Sequence, residues 1–401
     1  MPPSSSHLCD DRALLEVPLT TSLLIIGAGP FGLALAAWAQ QQSVDYAMVG
    51  TPMEFWRRHM PEKMALRSDA DWHLDPFNVH TIDRFFAETG RTRQGETPFS
   101  LKTYLAYVDW FQQQSSIRPI EARVVQLEPP AAPGRTFRAM LDTGETIDAP
   151  HVVIAVGFWY FRHVPGELEA VLPPGRWSHA SEAVDMASFA GQRVTIVGGR
   201  QSAFEWAALL CEAGAAHVDV VHRHDSPRFA ESEWEWIPPL VARTEQDPSW
   251  FRRLSESEQK ALAHKLWAEG RLKLEPWLEP RLRGAPVSLW PNAEISRSNI
   301  DSDHTIALDL TSGARLRADH VVLATGYKVD IHRVPFLATG PFRDCLQVRN
   351  GFPVLDEHFQ TSIPGLFITS MAATQDFGPF FGFTVSARVS ALTIGHSLRS
   401  A

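Results

Sequence analysis

One arrangement occurs twice in this chain, and its repetition limits the folds open to it. An apolar strand runs into a glycine-rich turn, a helix follows, and the unit closes much later on a second apolar strand that ends in glycine. The first copy opens at Leu23-Leu24-Ile25-Ile26, turns through Gly27-Ala28-Gly29-Pro30-Phe31-Gly32 and closes over residues 152–157. The second opens over residues 194–197, turns through Gly198-Gly199-Arg200-Gln201-Ser202-Ala203 and closes over residues 321–326. Even the hairpin turns before the two closing strands match, Asp142-Thr143-Gly144 against Thr311-Ser312-Gly313. Two such units in 401 residues predict an α/β fold of two Rossmann-like dinucleotide-binding domains, the second inserted in the first.

The physics of the turn names its residues. Gly27 permits the tight bend, Gly29 lets a pyrophosphate approach the backbone, and Gly32 lets helix pack on strand. The helix then points its positive end at the phosphates, with Pro30 and Phe31 in its first turn. An acid that binds ribose usually ends the next strand, but here that position is Gly50, which passes the contact to Thr51 or Glu54. Downstream, Trp56, Met64, Leu66 and Arg67 are candidate cofactor contacts, and Gly157 closes the first unit.

In the second turn Arg200 replaces the middle glycine, where a side chain crowds a pyrophosphate or its guanidinium bonds to it. Gly198, Gln201 and Ser202 complete that candidate site. The following strand ends in His222-Arg223-His224, a cation where an NAD-binding protein carries an acid, so Arg223 points to a 2′-phosphate and to NADPH. Thr325, Gly326 and Tyr327 form its closing turn. Near the end of the chain, a strand and a glycine turn containing Gly382 and Phe383 precede a small-residue helix, as needed to complete the first site.

These elements divide the chain into a discontinuous first domain, 1–165 and 315–401, and a second, 166–314. Residues 229–284 form a helical insertion containing five tryptophans, either a substrate cover or packing for its own domain. Residues 1 to about 20 read as a loose arm. A net charge of −9 without a dense Lys/Arg run excludes nucleic-acid and membrane-surface partners and favours a small-molecule substrate. The same composition is compatible with a homo-oligomer. Cys9, Cys211 and Cys345 are too widely separated for a redox pair, a zinc site or a disulfide framework, which suits a reducing cytoplasm, and no other grouping suggests a metal.

Taken together, the first turn, the second turn with its Gln201-Ser202, the Ala324-Thr325-Gly326-Tyr327 closure and the insertion after Arg223 resemble the class B flavin-dependent monooxygenases. Within that class the pattern is most similar to the lysine/ornithine N-hydroxylases. The resemblance covers nearly the whole chain. It implies FAD on the first turn, NADPH on the second with NADP+ retained, and O2 as co-substrate. A C4a-hydroperoxyflavin would then oxygenate a small molecule, N-hydroxylation of a nitrogen compound being the first expectation. Alternatives are C-hydroxylation of a purine-like ring such as urate, an NADPH reductase without oxygen insertion, and a non-enzymatic NADP(H) sensor. The family's Phe-x-Gly-x-x-x-His fingerprint survives only as Trp177-Ser178-His179, which makes His179 the one candidate catalytic residue. The amino-acid-binding motifs of the N-hydroxylases are not recognisable in the insertion.

Overall fold

The computed structural model describes residues 18–67, 71–132 and 134–400, so most of the expected arm, with Cys9, lies outside the described residues. What is described of the arm's end is ordered: Leu19–Thr20 pairs in parallel with Ile147 and Asp148.

The first domain is built on a parallel sheet in the order Leu366–Ile368, His151–Ile154, Leu23–Ile26, Tyr46–Val49. All four residues of Leu23–Ile26 are buried, as expected for a strand covered on both faces. The helix Pro30–Gln41 is buried along residues 30–39 and packs against the C-terminal helix Ala387–Ser400. Gly395 makes this contact possible, because a Cβ there would lie 2.1 Å from the Trp38 ring.

The second domain repeats the plan in the order Val287–Trp290, His217–Val221, Arg193–Val197, His320–Leu323, Trp177–His179, again all parallel. In both sheets the closing strand lies beside the opening strand. The place that Trp177–His179 fills in the second is filled in the first by Leu366–Ile368, from the end of the chain, so the first domain is discontinuous. One boundary moves. The strands Arg315–Ala318 and His320–Leu323 lie in the sheets of the second domain, and the chain returns to the first only beyond Gly326.

The insertion is pinched at its base by parallel pairing of Arg228–Phe229 with Lys273–Leu274. Its main helices are Ile237–Gln246 and Glu256–Arg271, the latter opened by a capping box of Ser255 and Glu258. Their apolar residues do not simply serve the insertion. Ile237, Val241, Trp250, Phe251 and Leu266 join the core of the first domain, with Trp250 stacked on Phe380 at 6.2 Å. Trp277 packs against the second domain. The insertion is therefore fastened across both domains, its helices on the first.

Candidate functional site

At the first turn, the glycines divide into two kinds. A Cβ at Gly27 would sit 2.4 Å from the Ala155 carbonyl oxygen, and one at Gly32 would sit 1.9 Å from that of Gly27, so chain packing alone requires both. At Gly29 a Cβ would meet nothing within 4 Å, and its φ of −84° is open to any residue. Only an incoming group needs that space. The helix that starts here has no side-chain cap, which leaves its first N–H groups for a ligand.

A continuous cavity runs from this turn past Thr51, Glu54 and Trp56, past Gly157, and on to Ser370 and Gly382–Thr384. Pro30, Phe31 and Phe383 also line it. Gly50 cannot be the usual acid: its φ is +144°, and a Cβ would lie 3.0 Å from the Ala28 nitrogen. Glu54 is the carboxylate that lines the cavity instead, steadied by Arg58 at 3.1 Å and Arg123 at 2.7 Å, both on Oε1. At the far end, Thr384 Oγ1 is buried without a protein partner among the described residues. Open space at Gly29, free N–H groups, a ribose-ready carboxylate and an unpaired hydroxyl together fit a flavin dinucleotide.

The second turn repeats the backbone with a different filling. A Cβ at Gly198 would meet the Ala324 carbonyl at 2.6 Å, as Gly27 meets Ala155. Arg200 stands at the helix cap where Gly29 stands in the first copy, in extended backbone that any side chain accepts. Gly199 is pressed by His222 and His224, 2.6–2.7 Å from its absent Cβ. Arg223, just past the strand His217–Val221, is exposed, and Ser202 is exposed at the start of the helix Gln201–Glu212. Gln201 faces inward, its Oε1 accepting from the Glu275 backbone.

His179 is placed as a structural pin. Its Nε2 bonds to the Gly326 carbonyl at 3.1 Å, its Nδ1 meets Ser181, and it is 1% exposed. Burial lowers its pKa to about 4, against the Gly326 bond, which favours the proton. Both nitrogens are engaged, and His179 is not among the residues that line the cavity. Thr325 and Tyr327 belong to the same joint, the first bonding to the His163 carbonyl and the second packing on Phe158 and His179.

Residues 64–67 clasp the two domains. Met64 packs on the core of the second domain, and the Leu66 N–H donates to Phe99. Arg67 binds the base of the insertion, with Nε on Glu275 at 2.7 Å, Nη1 on the Gly270 carbonyl and Nη2 on Ser232, its guanidinium over Trp234. Between Met64 and Arg67, the Ala65 N–H donates to Glu205 Oε1 at 2.7 Å. Glu205 carries no motif signal. It is fully buried, and burial pushes its carboxyl up to about 7 against the smaller opposing pull of Ala65, Gln201 and nearby cations.

A larger groove of about 780 Å³ lies elsewhere, between the second sheet and its antiparallel flap. Arg315 and Arg317 there are paired with Asp301, and Ser288 and Asp219 both approach the same nitrogen of His217, so no proton relay forms. Among the described residues no acidic, histidine or cysteine cluster could hold a metal, and no helix is long and apolar enough to cross a membrane.

A family model described as pyridine nucleotide-disulphide oxidoreductase matches residues 24–246, more than half of the chain. The chain belongs to that family. It is 28% identical over 284 residues to the FAD-dependent urate hydroxylase of Xanthomonas campestris pv. campestris, covering 64% of this chain and 54% of that protein. It is 35% identical over 240 residues to a ferredoxin–NADP reductase of Burkholderia vietnamiensis, covering 59% and 61%. The chain thus spans little more than half the length of these relatives. In fold it is similar to the ornithine hydroxylase of Pseudomonas aeruginosa, with a TM-score of 0.75 at 17% identity over 95% of this chain and 99% of that one. Among the described residues the two cysteines are free, and burial pushes the Cys211 thiol up to about 11, away from the thiolate that disulphide exchange needs.

Proposed function

We propose that this protein is a flavoprotein monooxygenase in which FAD lies along the first turn and NADPH along the second, and that it N-hydroxylates a small nitrogen compound. The observation that carries the reading is the open space at Gly29 leading into a cavity that ends at an unpaired Thr384 hydroxyl. When bound, the flavin supplies acceptance of hydride from NADPH and activation of O2. The chain's residues bind and shield. The Gly27–Gly32 turn takes the pyrophosphate, Glu54 the ribose, and Thr384 the polar edge of the ring system. Arg223 meets the 2′-phosphate of NADPH. Trp250 and Phe380, stacked where the insertion meets the first domain, exclude water from that end. No protein acid or base is needed in the cavity, which agrees with a fully engaged His179.

Mixing the NADPH-reduced protein rapidly with O2, followed by turnover with an amine panel, tests this reading. A hydroxylated amine formed in proportion to NADPH consumed supports it. The likeness to urate hydroxylase makes ring hydroxylation of urate the alternative, and product from urate alone selects it. The 35% identity to a ferredoxin–NADP reductase favours a second reading, electron transfer without oxygen insertion. Stoichiometric reduction of ferredoxin, with no oxygenated product from any substrate, would select that one.

A further inference from the structure

Nine non-glycine residues among those described take the left-handed backbone region that side chains disfavour. Six of them, Ser43, Asn78, Ser116, Asn292, His304 and Asn350, lie in exposed turns and bends. The other three, Met53, Phe359 and Ser370, are buried. Two of these have a reason within the protein. Met53 caps the helix Glu54–Arg58 and its N–H donates to the Ala28 carbonyl at 3.0 Å, so its bend delivers Glu54 to the cavity. The Phe359 ring stacks on Phe377 at 3.6 Å. Ser370, with φ +67° and 3% exposed, has no such reason. Glycine would take that angle without penalty. The serine hydroxyl forms no hydrogen bond among the described residues, and the residue lines the cavity. Strained backbone of this kind persists at ligand clamps, where the side chain it presents is used.

The place of Ser370 in the fold narrows what it can meet. The Thr369 N–H donates to the Ile154 carbonyl at 3.1 Å, which sets Ser370 near Ala155, the residue whose carbonyl faces Gly27. On the other side, the turn Ser370–Ala373 packs on the turn Pro379–Gly382, which leads to Thr384. Ser370 therefore stands between the pyrophosphate turn and the hydroxyl at the ring end. In a flavin dinucleotide the segment between pyrophosphate and ring is an open chain of alcohols. A serine hydroxyl both donates and accepts, which matches a row of alcohols better than a charged or apolar group.

We propose that Ser370 binds the sugar-alcohol chain of FAD and that its strained backbone is retained for that contact. The assignment rests on the flavin reading above.

FAD titrated into flavin-stripped protein, followed by fluorescence quenching, tests it together with melting curves of the flavin-free forms. Ser370→Ala keeps the backbone angle and removes only the hydroxyl. It should melt like wild type without FAD and bind FAD about three- to tenfold more weakly. Ser370→Gly should lose the same affinity, while its flavin-free form melts above that of Ser370→Ala, because glycine relieves the angle. Ser116→Gly, the same exchange at φ +52° in an exposed turn, should leave FAD affinity unchanged. ADP, which carries the pyrophosphate and no alcohol chain beyond it, should compete with FAD alike in wild type and Ser370→Ala. Full FAD affinity in Ser370→Ala, or a flavin-free Ser370→Gly that melts below Ser370→Ala, would overturn the proposal. A loss of ADP affinity as large as that for FAD would place the hydroxyl at the pyrophosphate and overturn the alcohol-chain contact. Wild-type protein that binds no FAD would instead overturn the flavin reading, and this inference with it.

Discussion

Replacing Glu205 with glutamine should stabilise the protein at alkaline pH and leave it nearly unchanged in mild acid. Glu205 lies between the domains; its Oε1 accepts from the Ala65 N–H, and the Gln201 side chain beside it also favours the charge, though less than burial opposes it. Its carboxyl rises from 4.5 to about 7 because burial penalises the charge. A carboxyl raised on folding contributes fully below its unfolded value and progressively less as pH climbs through its folded value. The whole interval corresponds to about 3.4 kcal/mol at about 1.36 kcal/mol per pH unit. Between about pH 5.5 and about pH 8.5 the loss is about 2 kcal/mol, reached by integrating both titrations. Glutamine keeps the acceptor for Ala65 and cannot ionise. Melting curves of the two proteins should therefore diverge with rising pH, Glu205→Gln gaining about 2–3 °C over wild type across that range. A gap that stays constant with pH would refute the reasoning, since every other titrating group is common to both proteins.

Gly29→Ala should fold with normal stability, because its Cβ enters open space, yet lose most bound flavin, read by absorbance after gel filtration. Gly32→Ala should instead destabilise the protein severely, its Cβ meeting the Gly27 carbonyl at 1.9 Å; comparable melting temperatures for the two variants would contradict the division between packing and ligand glycines. Arg223→Ala should raise KM for NADPH about tenfold, a charge-assisted contact of roughly 1.5–3 kcal/mol, with KM for NADH unmoved. Arg67→Ala should cost about 3 kcal/mol, because it strands Glu275 and releases the insertion from Trp234. Urea denaturation measures that loss, and a change below about 1 kcal/mol would show the clasp to be ornamental.

What was legible in the sequence was what neighbouring residues decide. The two turns and their strands follow from periodicity and glycine placement within short windows, and the structure keeps them. The boundary at 315 was misplaced because an antiparallel strand such as Arg315–Ala318 carries no mark of the sheet it joins. Gly50 looked like a missing ribose acid, but a positive φ against Ala28 requires glycine there, and backbone angles are not written in composition. Arg67 looked like a cofactor contact by its position after Met64 and Leu66; only the folded chain brings Glu275, Ser232 and Gly270 around its guanidinium.

The residues that sequence reasoning missed share a physical cause. Ala65 and Glu205 are 140 residues apart, and His73 and Arg388 are 315 apart, so neither pair can leave a spacing signature. Both lie where one domain or the insertion meets another part of the fold. Local motifs hold a dinucleotide because strand, turn and helix supply the geometry by themselves. Coupling between the domains depends on where separate folding units touch. A glutamate stands there in an ordinary helix, and its meaning comes from the burial that the folded chain imposes: at Glu205 burial penalises ionisation in spite of the cations nearby.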